Sequence, residues 1–196
     1  MSEILVIGKS GQVAQALAHA AAADMHCAGR EEADLLNATA MATALDAHSP
    51  RLVINTGAYT AVDKAESEPG LCRALNVDAP AALAKQCHER GIPLVHLSTD
   101  CVFDGEKPMP YMPKDTTSPI GVYGQSKLDG ELAVRLAAPR SLVMRVSWIF
   151  SHFGSNFVTT MLRLAATRDE VSVVTSMAVP PTRRHWQTRC FRSPGR

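Results

Sequence analysis

Tyr123-Gly124-Gln125-Ser126-Lys127 carries the strongest chemical signal in the chain. A tyrosine and a lysine at this spacing share one face of a helix. The pair suits reduction of a ketone by a reduced nicotinamide, because the carbonyl oxygen must gain a proton as the hydride arrives. A phenol can supply that proton if its pKa falls from about 10 toward neutrality. An ammonium one turn away would stabilise the phenolate and so lower that pKa. The same lysine could hold the nicotinamide ribose. A further polar group should hydrogen-bond the substrate oxygen, and Leu97-Ser98-Thr99-Asp100 supplies one. Thr99 is the candidate, with Ser98 as its neighbour. A Y-x-x-x-K pair alone also fits an exposed helical pair. Its place after Ser98-Thr99-Asp100 and a long loop gives it weight.

Such chemistry needs a dinucleotide, and Gly8-Lys9-Ser10-Gly11-Gln12-Val13-Ala14 looks built to hold one. It joins an apolar run to an Ala-rich helical stretch. Glycine lets the chain turn tightly and lets backbone N–H groups approach a pyrophosphate. The helix N-terminus adds orphan donors and a partial positive charge. Gly8, Ser10, Gly11, Gln12 and Val13 are therefore candidate cofactor contacts. The spacing is G-x-x-G-x-x-A, with Ala14 where a third glycine would let helix meet strand. The residue ending the second strand usually reads the ribose. Here Gly29-Arg30-Glu31-Glu32 places an arginine there, which favours NADPH over NADH; Arg30 as a solvated charge beside two glutamates is the competing reading.

Alternation of short apolar and longer amphipathic runs predicts the scaffold. Strands are expected at 3–8, 25–29, 51–58, 93–99, 141–150 and 171–175, with helices at 12–23, 40–47, 69–90, 123–138 and 156–167. Asn37 or Thr39 would cap the second helix. Pro69 suits a first helical turn, and Gly91 suits the position past a helix end. Residues 104–122, rich in proline and polar side chains, read as a long functional loop. This order implies an α/β fold, a doubly wound parallel sheet of Rossmann type.

Composition narrows the class. Lys plus Arg is 20 and Asp plus Glu 19, a net charge of +1, which calls for neither nucleic acid nor an anionic membrane. No apolar run reaches spanning length. Five scattered cysteines without a C-x-x-C pair read as reduced thiols, and the N-terminus MSEILVIGKSG lacks a signal peptide's pattern, so a cytoplasmic location is expected. The seven histidines lack H-x-x-x-H or H-x-H spacing, so no metal site is expected within the chain. Asp63, Lys64, Glu66 and Glu68 read as a solvated helix face. Residues 1–175 form the expected cofactor domain. Residues 176–196 are basic, acid-free and aperiodic, so they are expected to be irregular, disordered or translated out of frame. Read two bases out of register, the codons of His185 to Thr188 encode Leu, Ala, then Asp or Asn.

Six segments resemble the dTDP-4-dehydrorhamnose reductase family of extended short-chain dehydrogenase/reductases: GKSGQV (8–13), NTGAYTAVDKAESEP (55–69), LNVDAPAALA (75–84), LSTDCVFDG (97–105), SPIGVYGQSKLDGE (118–131) and RVSWIF (145–150). The resemblance implies NAD(P)H-dependent reduction of the 4-keto group of dTDP-4-dehydro-L-rhamnose to dTDP-L-rhamnose. It implies that Thr99, Tyr123 and Lys127 are catalytic, and that Asp34, Leu35, Ala58, Tyr59 and Thr60 line the cofactor. It also implies that Thr99, Asp100 and Trp148 touch the sugar nucleotide. It brings a dTDP-sugar as substrate, allows a homodimer, and adds a magnesium requirement with no ligand set in the sequence. Two departures are visible. Cys101 stands where the family carries tyrosine, and after VSVVT the family's D-Q-x-G-x-P-T segment and the rest of its sugar-nucleotide domain do not follow. Two other readings keep the same motifs: a non-catalytic nucleotide-binding relative, and a nucleotide-sugar epimerase or dehydratase. The latter fits AYTAVDKAE and STD less well.

Overall fold

The computed structural model describes residues 3–20, 24–168, 170–175 and 187–192. The apolar runs become five strands: β1 (Ile4–Ile7), β2 (Met25–Ala28), β3 (Leu52–Asn55), β4 (Leu94–Thr99) and β5 (Leu142–Val146). They form one parallel sheet in the order β2-β1-β3-β4-β5. Strand β1 pairs with β2 on one side and β3 on the other, so the winding direction reverses there. Ligands of doubly wound sheets sit outside the carboxyl ends of the strands at that reversal. Leu5, Val6 and Ile7 are buried, as a central strand covered on both faces requires.

The helices between strands are α1 (Gln12–Ala20), α2 (Ala38–His48), α3 (Val62–Ala65), α4 (Pro69–Arg73), α5 (Ala79–Glu89), α6 (Val122–Ala137) and α7 (Phe157–Thr167). Met41 and Leu45 of α2, Leu83 and Ala84 of α5, and Val134 of α6 close over Leu5, Ile7, Val53 and Leu94 in one core. Asn37 caps α2 by accepting from Thr39 and Ala40 N–H. Asn156 caps α7 in a capping box with Thr159. No helix among the described residues is long and apolar enough to cross a membrane.

Two elements differ from the sequence reading. The helix expected over 69–90 starts with Pro69 in its first turn and ends before Gly91, at φ +67°, but Ala74–Asp78 within it is a π-helical turn. That turn turns Asn76 inward, where it is fully buried. The strand expected at 171–175 does not extend the parallel sheet. It forms β6 (Glu170–Thr175), which pairs antiparallel with β7 (Gln187–Arg192). Strand β7 lies in the stretch read as irregular; the remainder of that stretch, 176–186 and 193–196, is outside the described residues.

Helix α6 approaches its neighbours closely. A Cβ on Gly130 would lie 2.0 Å from the Asn76 carbonyl oxygen, and one on Gly124 would lie 2.2 Å from that of Cys101. Both obstacles are backbone and cannot swing aside. Gly130→Ala should therefore destabilise the fold by about 2 kcal/mol, overpacking outweighing the helix-propensity gain. Gly70, in α4, has open space around its would-be Cβ, so Gly70→Ala should be neutral or stabilising by about 0.5 kcal/mol. Urea unfolding midpoints of the two variants check this; equal midpoints would refute the close approach.

His96 lies in the middle of β4, 1% exposed, opposite Asn55 of β3. Gly57 N–H donates to Asn55 Oδ1, which orients the amide so that Asn55 Nδ2 donates to His96 Nδ1 at 3.1 Å. Burial, with Lys127 adding to it, pushes the imidazole down to about 3. The folded chain thus keeps His96 neutral while an unfolded histidine protonates below about pH 6.5. Stability attributable to His96 is full above that pH and falls as pH drops toward 3, with a limiting slope of about 1.4 kcal/mol per pH unit. Replacing His96 with asparagine should remove that slope between about pH 7 and pH 5. Parallel pH–stability curves for both proteins would show that His96 is not held neutral.

Candidate active site

The turns after β1, β2, β3, β4 and β5 all emerge at the carboxyl edge of the sheet. Gly8 has φ +118°, a conformation that suits glycine, and its N–H is fixed by Ala28 O at 2.9 Å. A Cβ on Gly11 would meet nothing within 4 Å, so the space over the start of α1 is open to a phosphate group. Ser10 holds the turn through its carbonyl, which accepts from Gln15 Nε2 at 2.7 Å. Gln12 and Val13 begin α1, where backbone N–H groups lack intrahelical partners. These residues fit a pyrophosphate. Gln12 also donates to Ile149 O at 3.2 Å, tying the turn to the segment after β5.

Arg30 is exposed just beyond β2. Its acidic neighbours are engaged elsewhere, Glu31 with Lys9 at 3.3 Å and Glu32 with His26 and His48. Asp34 turns part of its carboxylate inward onto Leu36 N–H at 3.0 Å. Leu35 reaches across to the turn after β3, where a Cβ on Gly57 would lie 2.5 Å from its Cδ1. Ala58 is half-buried and Thr60 exposed in that turn. The Tyr59 side chain is buried and its hydroxyl donates to Glu68 Oε2 at 2.7 Å, so only its backbone is free to line the cofactor edge. That bond and burial push the phenol up to about 12.

Thr99 ends β4, and Tyr123 and Lys127 rise from the first turns of α6. The Thr99 hydroxyl donates to Asp100 Oδ1 at 3.1 Å and accepts from Cys101 N–H. Lys127 is 2% exposed, and its ammonium donates to Leu97 O at 2.7 Å. Burial lowers Lys127 to about 8, against the pull of Glu131, so it stays charged at neutral pH. The expected drop of the Tyr123 phenol toward neutrality does not occur. Burial, the largest cause, together with the Asp100 carboxylate pushes it up to about 12, with Thr99 acting the other way. The ammonium is turned toward the Leu97 carbonyl, so burial dominates the phenol. Tyr123 is a firmly protonated acid, the form a proton donor requires.

Several residues behind this group escaped the sequence reading. Glu131, one turn beyond Lys127, is 1% exposed. It accepts from Ser98 Oγ at 2.6 Å and binds Arg145 through Nε at 2.8 Å and Nη2 at 2.6 Å. Ser98 therefore faces the support rather than the substrate. The Arg145 guanidinium lies 4.9 Å from the Phe103 ring centre. Asn76 accepts from Tyr59 N–H at 2.9 Å and donates to Ser126 Oγ at 2.9 Å, joining the turn after β3 to α6. Glu66 accepts from Val122 N–H at 2.8 Å and so caps α6, which Gly121 cannot do. Asp63, Lys64 and Glu66 are exposed, as a solvated face requires, and Glu66 and Glu68 act in addition as supports. The KLDGE and RVSWIF segments held this information, but a buried ion pair between them requires knowing that β5 lies beside β4. Asp100 accepts from Ser147 Oγ. Trp148 is 58% exposed and held at φ +50°, strained for a bulky residue, with its ring edge-on to Phe157.

Comparison with known proteins matches residues 1–190 to the model of the RmlD substrate binding domain. The dTDP-4-dehydrorhamnose reductase of Sinorhizobium fredii is 47% identical over 91% of this chain and 61% of its own length. That of Salmonella typhimurium is 41% identical over 91% of this chain and 62% of its own. The chain thus spans about 61% of the length of these relatives. Among solved structures, dTDP-4-dehydrorhamnose reductase from Bacillus anthracis in complex with NADP superposes with a TM-score of 0.82 at 31% identity, covering 86% of this chain and 62% of that one. The Brucella ovis UDP-glucose 4-epimerase, at 18% identity, TM-score 0.67, 74% of this chain and 51% of its own, shares the fold alone. The family model covers nearly the whole sequence, and the chain belongs to the RmlD substrate binding domain family.

Proposed function

We propose that this chain carries the cofactor-binding and proton-donating machinery of an NAD(P)H-dependent dTDP-4-dehydrorhamnose reductase. The substrate would be dTDP-4-dehydro-L-rhamnose and the product dTDP-L-rhamnose. The observation that carries this reading is the convergence of Thr99, a protonated Tyr123 and a buried Lys127 ammonium where β4 meets α6. A bound reduced nicotinamide supplies the hydride. Tyr123 gives its phenolic proton to the 4-keto oxygen, while the Thr99 hydroxyl hydrogen-bonds that oxygen. Lys127 holds the nicotinamide ribose and offsets the phenolate charge left behind. Asp100 and Trp148 contact the sugar nucleotide. Gly8, Ser10, Gly11, Gln12 and Val13 seat the pyrophosphate, Arg30 a 2′-phosphate, and Asp34, Leu35, Ala58 and Thr60 the adenosine side, with Tyr59 contributing backbone.

Residues 1–175 are the cofactor domain in this reading, and the basic 176–196 stretch is separate from it. Cytoplasmic location and a homodimer belong to the same proposal. A magnesium ion enters only through the family resemblance, and no residue is assigned to it.

Calorimetric titration with NADPH and NADH tests the site directly: the folded chain should bind, and absence of heat with both nucleotides would overturn the reading. In a chain that carries the family's complete sugar-nucleotide domain, Tyr123→Phe should cut the rate of NADPH oxidation with dTDP-4-dehydro-L-rhamnose by about 10²-fold or more, the share of a general acid. NADPH affinity should stay within about twofold, since the phenol is a proton donor rather than the main cofactor contact. A variant retaining most of the rate would remove Tyr123 from its role.

Arg30→Asp should move the NADPH-to-NADH affinity ratio at least about tenfold toward NADH, because a carboxylate repels a 2′-phosphate and accepts from a 2′-hydroxyl. An unchanged ratio would make Arg30 a bystander.

A further inference from the structure

His26, Glu32 and His48 are separated in sequence and meet in space. His26 lies in β2, Glu32 in the turn that follows, and His48 in the last turn of α2. Glu32 Oε1 lies 2.6 Å from His48 Nε2, and Glu32 Oε2 lies 2.8 Å from His26 Nε2. The two imidazoles stack with centroids 4.2 Å apart and planes inclined by 23°. Stacking in this sense brings both Nε2 atoms to the same carboxylate. Donor atoms from the three residues all lie within 4.8 Å of one another. We propose that His26, Glu32 and His48 form a binding site for a divalent transition-metal ion of the zinc class.

Two imidazole nitrogens and one carboxylate form a donor set that zinc accepts, with water completing a tetrahedron. Magnesium and calcium prefer oxygen donors in larger number, so this set selects against them. Zinc–ligand bonds of about 2.0–2.2 Å place tetrahedral donors roughly 3.3 Å apart, so each carboxylate–imidazole contact needs to open by about 0.5–0.7 Å. The ion would bind each ring through an unprotonated Nε2, any proton on that nitrogen passing to Nδ1 or to water. Side-chain exposures of 39%, 34% and 22% for His26, Glu32 and His48 leave a path for the ion and its water. The three side chains are already gathered, so little further ordering opposes binding. Once bound, the ion would brace β2 and the end of α2 against the turn that carries Arg30. The sequence gives no hint of this set, because the residue spacings match no helical or hairpin ligand pattern; the packing of α2 beside β2 creates it.

A hydrogen-bonded triad without an ion accounts for the same contacts, so the experiment must separate the two. The full chain is titrated with Zn2+ by calorimetry against a competing chelator. Binding of one ion per chain is expected, with a rise in Tm. Glu32→Gln, which keeps size and a hydrogen-bonding group, and His48→Ala should each weaken zinc at least tenfold, while Cys27→Ser and His19→Ala leave it unchanged. If the ligand variants fold poorly, Co2+ added to the unaltered chain decides the matter. Visible d–d bands of a tetrahedral nitrogen–oxygen site without a thiolate charge-transfer band support the assignment. A charge-transfer band, no zinc binding by the folded chain, or zinc affinity in Glu32→Gln and His48→Ala unchanged from that of the unaltered chain would overturn it.

Discussion

The close seating of α6 against the backbone at Asn76 and Cys101 is the constraint on which the rest of the site depends. Two glycines on one helix, Gly124 and Gly130, let main chain meet main chain where any side chain would collide. They sit six residues apart and bracket Lys127 between them. With the helix pinned at both points, Tyr123 is delivered to Thr99 and the Lys127 ammonium reaches the Leu97 carbonyl at 2.7 Å. A helix displaced outward by a methyl group would move the phenol and the ammonium together. The π turn at Ala74–Asp78 is the other half of the same contact, because it presents the Asn76 carbonyl to Gly130 and the Asn76 amide to Ser126. Irregular helix and helix–helix approach are therefore one feature.

That seating also buries charge. Glu131 and Lys127 are essentially inaccessible, and Arg145 closes over Glu131 through paired hydrogen bonds. Burying an unpaired ion costs several kcal/mol, so each of these groups must be satisfied by another. Glu131 is satisfied three times over, by Ser98 and by two nitrogens of Arg145. Its remaining field holds Lys127 up against the burial that would discharge it. Removing Arg145 would leave the carboxylate with only the Ser98 hydroxyl and the field of Lys127. In the proposed reductase the ion pair would act on the chemistry only through Lys127.

Periodic features could be read in the sequence, and pairings through space could not. The apolar runs of β1 and β4, the Asn37 cap, and Pro69 and Gly91 at the ends of a helical stretch are local, and each appears where local chemistry puts it. The glycine turn, Thr99, Tyr123 and Lys127 were legible because their spacing is itself the signal. Glu131 with Arg145, Asn76 with Ser126, and His26 with Glu32 and His48 depend on which strand lies beside which, and no periodicity encodes that. Tyr59 adds a contact that position alone does not give: its segment sits at the sheet's carboxyl edge while its hydroxyl is committed to Glu68. The strand at Glu170–Thr175 was recognisable as a strand, but its partner was not, since an apolar alternation fits a parallel or an antiparallel neighbour equally.

The electrostatics of Tyr123 bear on the direction of catalysis. A phenol lowered to neutrality serves oxidation and reduction alike, as base in one and acid in the other. Here burial and nearby negative charge raise it to about 12, which disfavours the phenolate. A group so placed gives up its proton only when the developing alkoxide is the stronger base and positive charge stands ready to stabilise what remains. Lys127, charged at neutral pH yet lowered to about 8, is that reserve, one turn away and already desolvated. The burial that raises the phenol also strengthens every interaction the ammonium makes, because the surrounding medium no longer screens it. The same dry contact between α6 and β4 therefore holds Tyr123 in its acid form, and in the proposed reaction it would leave the Lys127 ammonium to stabilise the phenolate.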